Sequence, residues 1–192
     1  MQKSFSGKLV ALLLLLVLAV PSWYLLINKT GPASYMALDP AISDYTPARD
    51  KEDIRKSFHD DWYWLLESMD YSVDHMLDTH SPNSYEKEYQ GKMKIKVIRE
   101  DDKLAGFVTY YPENTLSGRI LFLHVSPEFR GKKFGERLIR YAVNDFFNEG
   151  KQKVWLLTRV GNARGQALYE RLNMQEIGRD PKFVYYQTTK RL

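Results

Sequence analysis

The sequence predicts a mixed α/β domain of the α+β type, a mostly antiparallel sheet flanked by helices, preceded by an N-terminal hydrophobic helix. Three observations carry this expectation. Residues 9–27 form an uncharged apolar run, Met93 to Arg99 alternates apolar positions ahead of the β-branched and aromatic stretch from Leu104 to Tyr111, and apolar residues recur at helical spacing on both sides of these strand candidates. At 192 residues the chain suits one compact domain with an appendage. The expected layout is a membrane anchor or signal segment over 1–27, a linker and lead-in strand over 28–49, and the main domain over 50–192.

Taken in order, Leu9 to Ile27 gives nineteen residues without a charge. At helical rise that is roughly 28 Å, enough to cross a bilayer. Lys3 and Lys8 precede the run, and Trp23 and Tyr24 lie near its far end, where amphipathic rings favour the membrane interface. A cleaved signal peptide, which would yield a secreted form, is the competing reading, since Ala19 and Ser22 are small; continuation of apolar sequence past Pro21 favours an uncleaved single-pass anchor. The basic residues before the run favour an inside N-terminus and an outside domain.

Beyond the linker, Ile54, Phe58, Trp62, Leu65, Leu66 and Met69 fall on one face of a helix opened by Asp50. Val73, Met76 and Leu77 suit a shorter helix. Met93–Arg99, Leu104–Tyr111 and Arg119–Val125 are strand candidates joined by hairpin connections. Phe134, Leu138, Ile139, Ala142, Val143, Phe146 and Phe147 then mark a helix stopped by Gly150. Lys153–Val160 reads as a buried strand, Ala163–Leu172 as a helix, and Met174–Ile177 with Phe183–Gln187 as a closing pair.

Composition narrows the function. Three of the 28 Lys and Arg residues (Lys3, Lys8, Lys29) lie in the first thirty positions, which hold no acid, leaving 25 basic against 24 acidic residues. With no long basic run either, nucleic acid is not an expected partner. The chain has no cysteine, so a thiolate nucleophile and a thiolate metal site are excluded, and its four histidines show no metal-ligand spacing, so no metal is expected.

The segment Leu123-His124-Val125-Ser126-Pro127-Glu128-Phe129-Arg130-Gly131-Lys132-Lys133-Phe134-Gly135 runs from a strand through a basic, glycine-containing loop into a helix. Such a junction presents unpaired backbone N–H groups and the positive end of a helix dipole, suited to an anion. Gly131 and Gly135 permit close approach of backbone, and Arg130, Lys132 and Lys133 add positive charge. An ordinary solvated loop is the bland alternative.

This segment resembles the pyrophosphate loop of the GNAT family of N-acetyltransferases, Q/R-x-x-G-x-G/A after a strand ending apolar-x-Val-x-Pro. Arg130, Phe134 and Gly135 stand at their expected places with Leu123, Val125 and Pro127 upstream, while Lys133 stands where the family usually has glycine. A second segment, Asn162 to Met174, resembles the family's N-x-x-A-x-x-L-Y-x-K-x-G-F pattern, with Gly165, Asn173 and Met174 as departures. The resemblance implies a GNAT-like fold and acetyl-CoA as co-substrate. It implies cofactor contacts from Leu123, Val125, Arg130, Gly131, Lys132, Lys133, Phe134, Gly135 and Asn162, and transfer of acetyl to a primary amine by direct attack.

Within that frame Tyr169 is the candidate general acid for the departing thiolate, with packing as its alternative role. His124 is the candidate base, with a pKa suited to neutral pH; water or Glu128 could serve instead. The cluster His59 to Trp64 combines acids and aromatics that could hold a cationic amine, from a polyamine or aminosugar to a protein lysine or N-terminus. Acetyl-CoA supply favours the cytosolic face for the domain. The competing functional reading is a catalytically silent binding or sensor module at a membrane.

Overall fold

The computed structural model describes residues 36–66, 71–82 and 86–192. The expected membrane segment lies outside these, and among the described residues no helix is long and apolar enough to cross a membrane. In chain order the elements are β1 (Ile42–Asp44), α1 (Pro47–Asp60), α2 (Trp62–Leu65), α3 (Val73–Thr79), β2 (Lys94–Glu100), β3 (Lys103–Pro112), β4 (Ser117–Val125), α4 (Phe134–Asn148), β5 (Lys153–Arg159), α5 (Ala163–Arg171), β6 (Gln175–Arg179) and β7 (Phe183–Thr188). The sheet order is β1-β2-β3-β4-β5-β7-β6. All neighbours are antiparallel except β4 and β5, which the α4 crossover makes parallel.

Two apolar layers follow from the alternation of side chains across the strands. One holds α4 against the sheet through Leu138, Ile139, Ala142, Val143 and Phe146, with Tyr169 of α5 and Leu172 just after it joining in. The other buries Ile54 and Phe58 of α1 and Met76 and Leu77 of α3 against Val97, Phe107 and Phe122. The helical periodicity of α4 and the alternation of β4 and β5 survive folding, while β3 is buried on both faces.

Two expectations change. The helix expected to open at Asp50 opens at Pro47, behind the cap residue Thr46; proline at the first helical position loses no helical hydrogen bond. Asp50 instead reaches back, accepting from the Thr46 backbone N–H at 2.7 Å, and pairs with Arg99 of β2 in the interior. The same helix was expected to run through Trp62 to Met69. It stops at Asp61, whose φ of −114° and ψ of 25° break the helix, so α2 is a separate turn and Trp62 is 46% exposed rather than on the core face.

β4 and β5 are the pair that shapes the site. They are in register only over Ser117–Arg119 with Lys153–Trp155, and pair no further toward their C-terminal ends. At the closed end, Gly118 lets the Phe146 ring lie on the strand: a Cβ there would stand 2.5 Å from ring atoms. Farther along, β3 pairs Tyr110 with Ile120 and Thr109 with Phe122, so Leu121 is an extra residue in β4. A bulge of this kind bends a strand and increases its twist, and here it coincides with the parting of β4 from β5.

Candidate active site

The parting strands leave a cleft lined by Ile120–Leu123 of β4, Leu156–Arg159 of β5, Asn162, Tyr169 and Phe183, with Trp64, Leu65 and Leu66 closing one end. Beyond Arg119, the β4 edge toward β5 has no strand partner, so its backbone N–H and C=O groups are available to an extended ligand. A tubular acyl carrier bearing amides is what such an edge can pair with, as one more strand would.

At the end of β4 the chain makes a tight turn over Pro127–Phe129 and enters α4. Gly131 has φ +85° and Lys133 φ +64°, two left-handed residues that fold the loop around the helix start. The first helical bond of α4 is Arg137 N–H to the Lys133 carbonyl. The N–H groups from Phe134 to Glu136 therefore precede the hydrogen-bonded ladder, as helix geometry requires, and suit a pyrophosphate. Gly131 needs no space for its role: nothing lies within 4 Å of an added Cβ, so its φ is what calls for glycine.

The charged loop residues are not equivalent. Arg130 donates from Nε to the Val125 carbonyl at 3.0 Å and from Nη2 to Asp61 at 3.1 Å, which fastens the loop to the strand end. Lys132 pairs with Glu100 and lies over the Phe129 ring. Gly135 sits where an added Cβ would meet Leu168 at 3.4 Å and Val125 at 3.6 Å, so it sets the approach of α4 to β4 and α5. Leu123 and Val125 pack on the α4 layer, and Phe134 is buried in it.

On the other wall, Asn162 caps α5. Its Oδ1 accepts from the Gly165 backbone N–H at 3.0 Å and its Nδ2 donates to Thr158 Oγ1 at 2.9 Å. Gly165, a departure from the expected alanine, has a reason here: a Cβ would stand 2.7 Å from Asn162 Nδ2. Asn173 takes the left-handed conformation (φ +56°) after the end of α5, and Met174 fills core space. Tyr169 is 6% exposed, lines the cleft and stands 5.4 Å from the Tyr186 ring. Burial, with the neighbouring Tyr186 adding to it, raises its pKa far above that of free tyrosine, so the phenol stays protonated.

The structure thus brings Leu123, Asn162 and Tyr169 to one cleft, and sets Val125 and the Arg130–Gly135 loop at its β4 end. His124 stands apart from them. Its ring does not line the cleft but lies 5.5 Å from Phe107 on the α1 side, with Nε2 at 2.9 Å from Asp61. Burial lowers its pKa, opposed by the hydrogen bond and charge of Asp61. Of the acid and aromatic cluster, Trp64 lines the cleft, while Asp60 is held by Lys56 and His59 and Asp61 by His124 and Arg130, and neither acid lines it.

One residue of the site escaped the sequence reading, Arg159: its guanidinium donates to the Tyr63 and Leu66 carbonyls and lies over the Tyr63 and Phe183 rings, at 4.4 and 5.4 Å. It stands in no local pattern that spacing could reveal. Among the described residues no group of His, Asp and Glu is arranged to hold a metal.

Comparison with known proteins gives this geometry a family. Residues 51–174 match the model of the acetyltransferase (GNAT) family. A Bacillus subtilis protein named as a [ribosomal protein bS18]-alanine N-acetyltransferase is 33% identical over 82 residues, 43% of this chain and 54% of that protein. Its counterpart from Salmonella typhimurium is 29% identical over 89 residues, 45% of this chain and 59% of that one. The chain spans about half the length of these curated relatives. In fold it resembles the Paia N-acetyltransferase of Thermoplasma acidophilum solved with coenzyme A (TM-score 0.60, 17% identity, 81% of this chain and 100% of that one). It also resembles spermidine N-acetyltransferase of Vibrio cholerae solved with CoA and spermine (TM-score 0.60, 19% identity, 77% and 93%).

Proposed function

The chain belongs to the GNAT family of acetyltransferases, and on that footing we propose that it transfers an acetyl group from acetyl-CoA to a primary amine of a protein or small molecule. The observation that carries this reading is the parting of β4 from β5 beside a loop of left-handed residues and free helix N–H groups. Acetyl-CoA supplies the activated thioester. The residues present fit it: the open β4 edge matches the amides of its arm, and the Gly131–Gly135 turn with the dipole of α4 matches its pyrophosphate.

The chain's own part in the reaction is positioning and proton handling. The cleft holds the amine nitrogen against the thioester carbonyl carbon, where the N–C bond forms as the C–S bond breaks. Unpaired amides of β4 near the Leu121 bulge stabilise the charge that gathers on the carbonyl oxygen. Tyr169, protonated and in the cleft, gives its proton to the departing sulfur, and the proton shed by the amine restores the phenol through solvent. Asn162 fixes the start of α5 and with it Tyr169, two turns along. Arg130 and His124, joined by Asp61, hold the end of β4 and the loop. Lys133 adds charge for phosphate.

We read Leu9–Ile27 as a single-pass anchor that keeps the domain on the cytosolic side, where acetyl-CoA is made. Tethering raises local concentration near membrane-associated amines. Protease accessibility of the domain in intact and permeabilised cells tests this: protection only by the intact membrane of the cytosolic face agrees, and cleavage from outside contradicts it.

Calorimetry with acetyl-CoA tests the cofactor reading. The expected result is saturable binding that acetyl-CoA and CoA share. No heat and no thermal shift at millimolar cofactor contradict it. Binding with no turnover of any amine would leave a silent module.

A further inference from the structure

One wall of the cleft is built by α2 and the residue after it. Trp64, Leu65 and Leu66 close the cleft on one side and Phe183 on another. Tyr63 and Trp64 are large rings left 49% and 47% exposed. Trp64 reaches across to Gly161, the residue before Asn162: a Cβ added at Gly161 would stand 3.9 Å from its ring. Between these rings stands one cation, Arg159.

Arg159 is held from three sides. The Tyr63 and Leu66 carbonyls accept from Nε and Nη2, and the Tyr63 and Phe183 rings cover its faces. A guanidinium has further N–H donors, fixed in one plane, and it keeps its charge at any physiological pH. Among the described residues no carboxylate pairs with it: Asp60 is paired with Lys56 and His59, and Asp61 with His124 and Arg130.

On the acetyltransferase reading, we propose that this rim selects the acceptor, with Arg159 as the specificity-determining residue: it admits a peptide N-terminal α-amine on an uncharged segment and rejects polycations. The α-amine enters the cleft, a backbone carbonyl of the same peptide accepts from the spare donors of Arg159, and the first side chains lie on Tyr63 and Trp64. A second positive charge on the acceptor would be brought against a fixed guanidinium in a partly desolvated rim, where like charges repel strongly. The proton balance points the same way. An α-amine has a pKa near 8 and is partly neutral at neutral pH, whereas a lysine or polyamine amine, near 10.4, must first lose a proton. An acceptor that arrives neutral asks less of a base.

The test is an acceptor panel scored by CoA release at saturating acetyl-CoA. Its members are a short uncharged peptide with a free N-terminus, the same peptide blocked at its N-terminus and carrying one lysine, and spermidine. The expected kcat/KM for the free N-terminus exceeds that for spermidine by about tenfold or more. Arg159→Gln should narrow that ratio about tenfold. Arg159→Lys keeps the charge while losing the fork, so it should raise KM for the peptide and retain the bias against spermidine. Acetyl-CoA affinity, measured on each variant, reports whether the cleft is intact. Preference of the wild-type protein for spermidine overturns the inference, as does an unchanged ratio in Arg159→Gln with normal acetyl-CoA affinity. Silence with every acceptor overturns the acetyltransferase reading beneath it.

Discussion

Asp61 Oδ2 lies 2.9 Å from His124 Nε2, and the same oxygen lies 3.1 Å from Arg130 Nη2. One carboxylate at the joint between α1 and α2 thus ties the last turn of β4 to the loop that opens α4. His124 is largely buried, with its Nδ1 lacking a partner among the described residues, so charging it costs stability that the Asp61 contact only partly returns.

The sign follows from burial. The folded-state pKa of His124 is lowered, first by burial and against the pull of Asp61, so the unfolded chain takes up the proton first. The contribution is fully present above the unfolded value of about 6.5 and is lost as pH falls from there through the folded value. His124→Gln should remove this component, and Asp61→Asn should widen it because the opposing hydrogen bond weakens. Denaturant midpoints between pH 8 and 5 check both. Parallel pH profiles for wild type and His124→Gln would contradict the assignment.

Tyr169→Phe keeps the ring that packs beside Tyr186 and removes only the hydroxyl. The maximal rate should fall roughly 100-fold, the scale of a lost general acid. Affinity for acetyl-CoA should stay within about twofold, because nothing in the proposed cofactor contacts uses the phenol. Steady-state kinetics with calorimetry check this, and an unchanged rate would return Tyr169 to packing alone.

At Lys133, φ +64° places a side chain in a conformation that costs about 1–2 kcal/mol outside glycine. Lys133→Gly should therefore raise thermal stability by about 2–4 °C for a chain of this size. It should also weaken acetyl-CoA binding severalfold through loss of the charge, and Lys133→Ala should weaken binding without the gain in stability. A thermal melt paired with a titration separates the two effects.

Gly165→Ala would put a Cβ 2.7 Å from Asn162 Nδ2. The Asn162 amide can swing aside, at the expense of its bonds to Gly165 and Thr158. Loss of the cap costs about 1 kcal/mol, and alanine in place of glycine within a helix returns about as much. Stability should hardly move, while KM for acetyl-CoA rises severalfold as the start of α5 shifts. A large loss of stability with unchanged KM would place Asn162 outside the site.

How much of this was legible in sequence depended on the range of the interactions. The strands and α4 were readable because period-two and helical patterns are imposed locally by burial on one face. The Arg130–Gly135 loop and the Asn162–Tyr169 segment stood out because each is a short contiguous run that resembles a family pattern, although Arg130 itself bonds Asp61, 69 residues away. The break at Asp61 was not. Its cause is two partners 63 and 69 residues away, which override a helical pattern that otherwise continues to Met69. Arg159 was invisible for the same reason, since the carbonyls that hold it are 96 and 93 residues distant. Trp62 misled because a large apolar residue at core spacing is exposed once the helix ends two residues before it, at Asp60.

The central claim is acetyl transfer at the cleft between β4 and β5. The most direct measurement follows free CoA and the mass of the acceptor together, with acetyl-CoA and an uncharged peptide bearing a free N-terminus. The account predicts one CoA released for each acetyl group gained by the peptide amine, with the rate sharply reduced in Tyr169→Phe. CoA release without a modified amine, or equal rates in the two proteins, would contradict it.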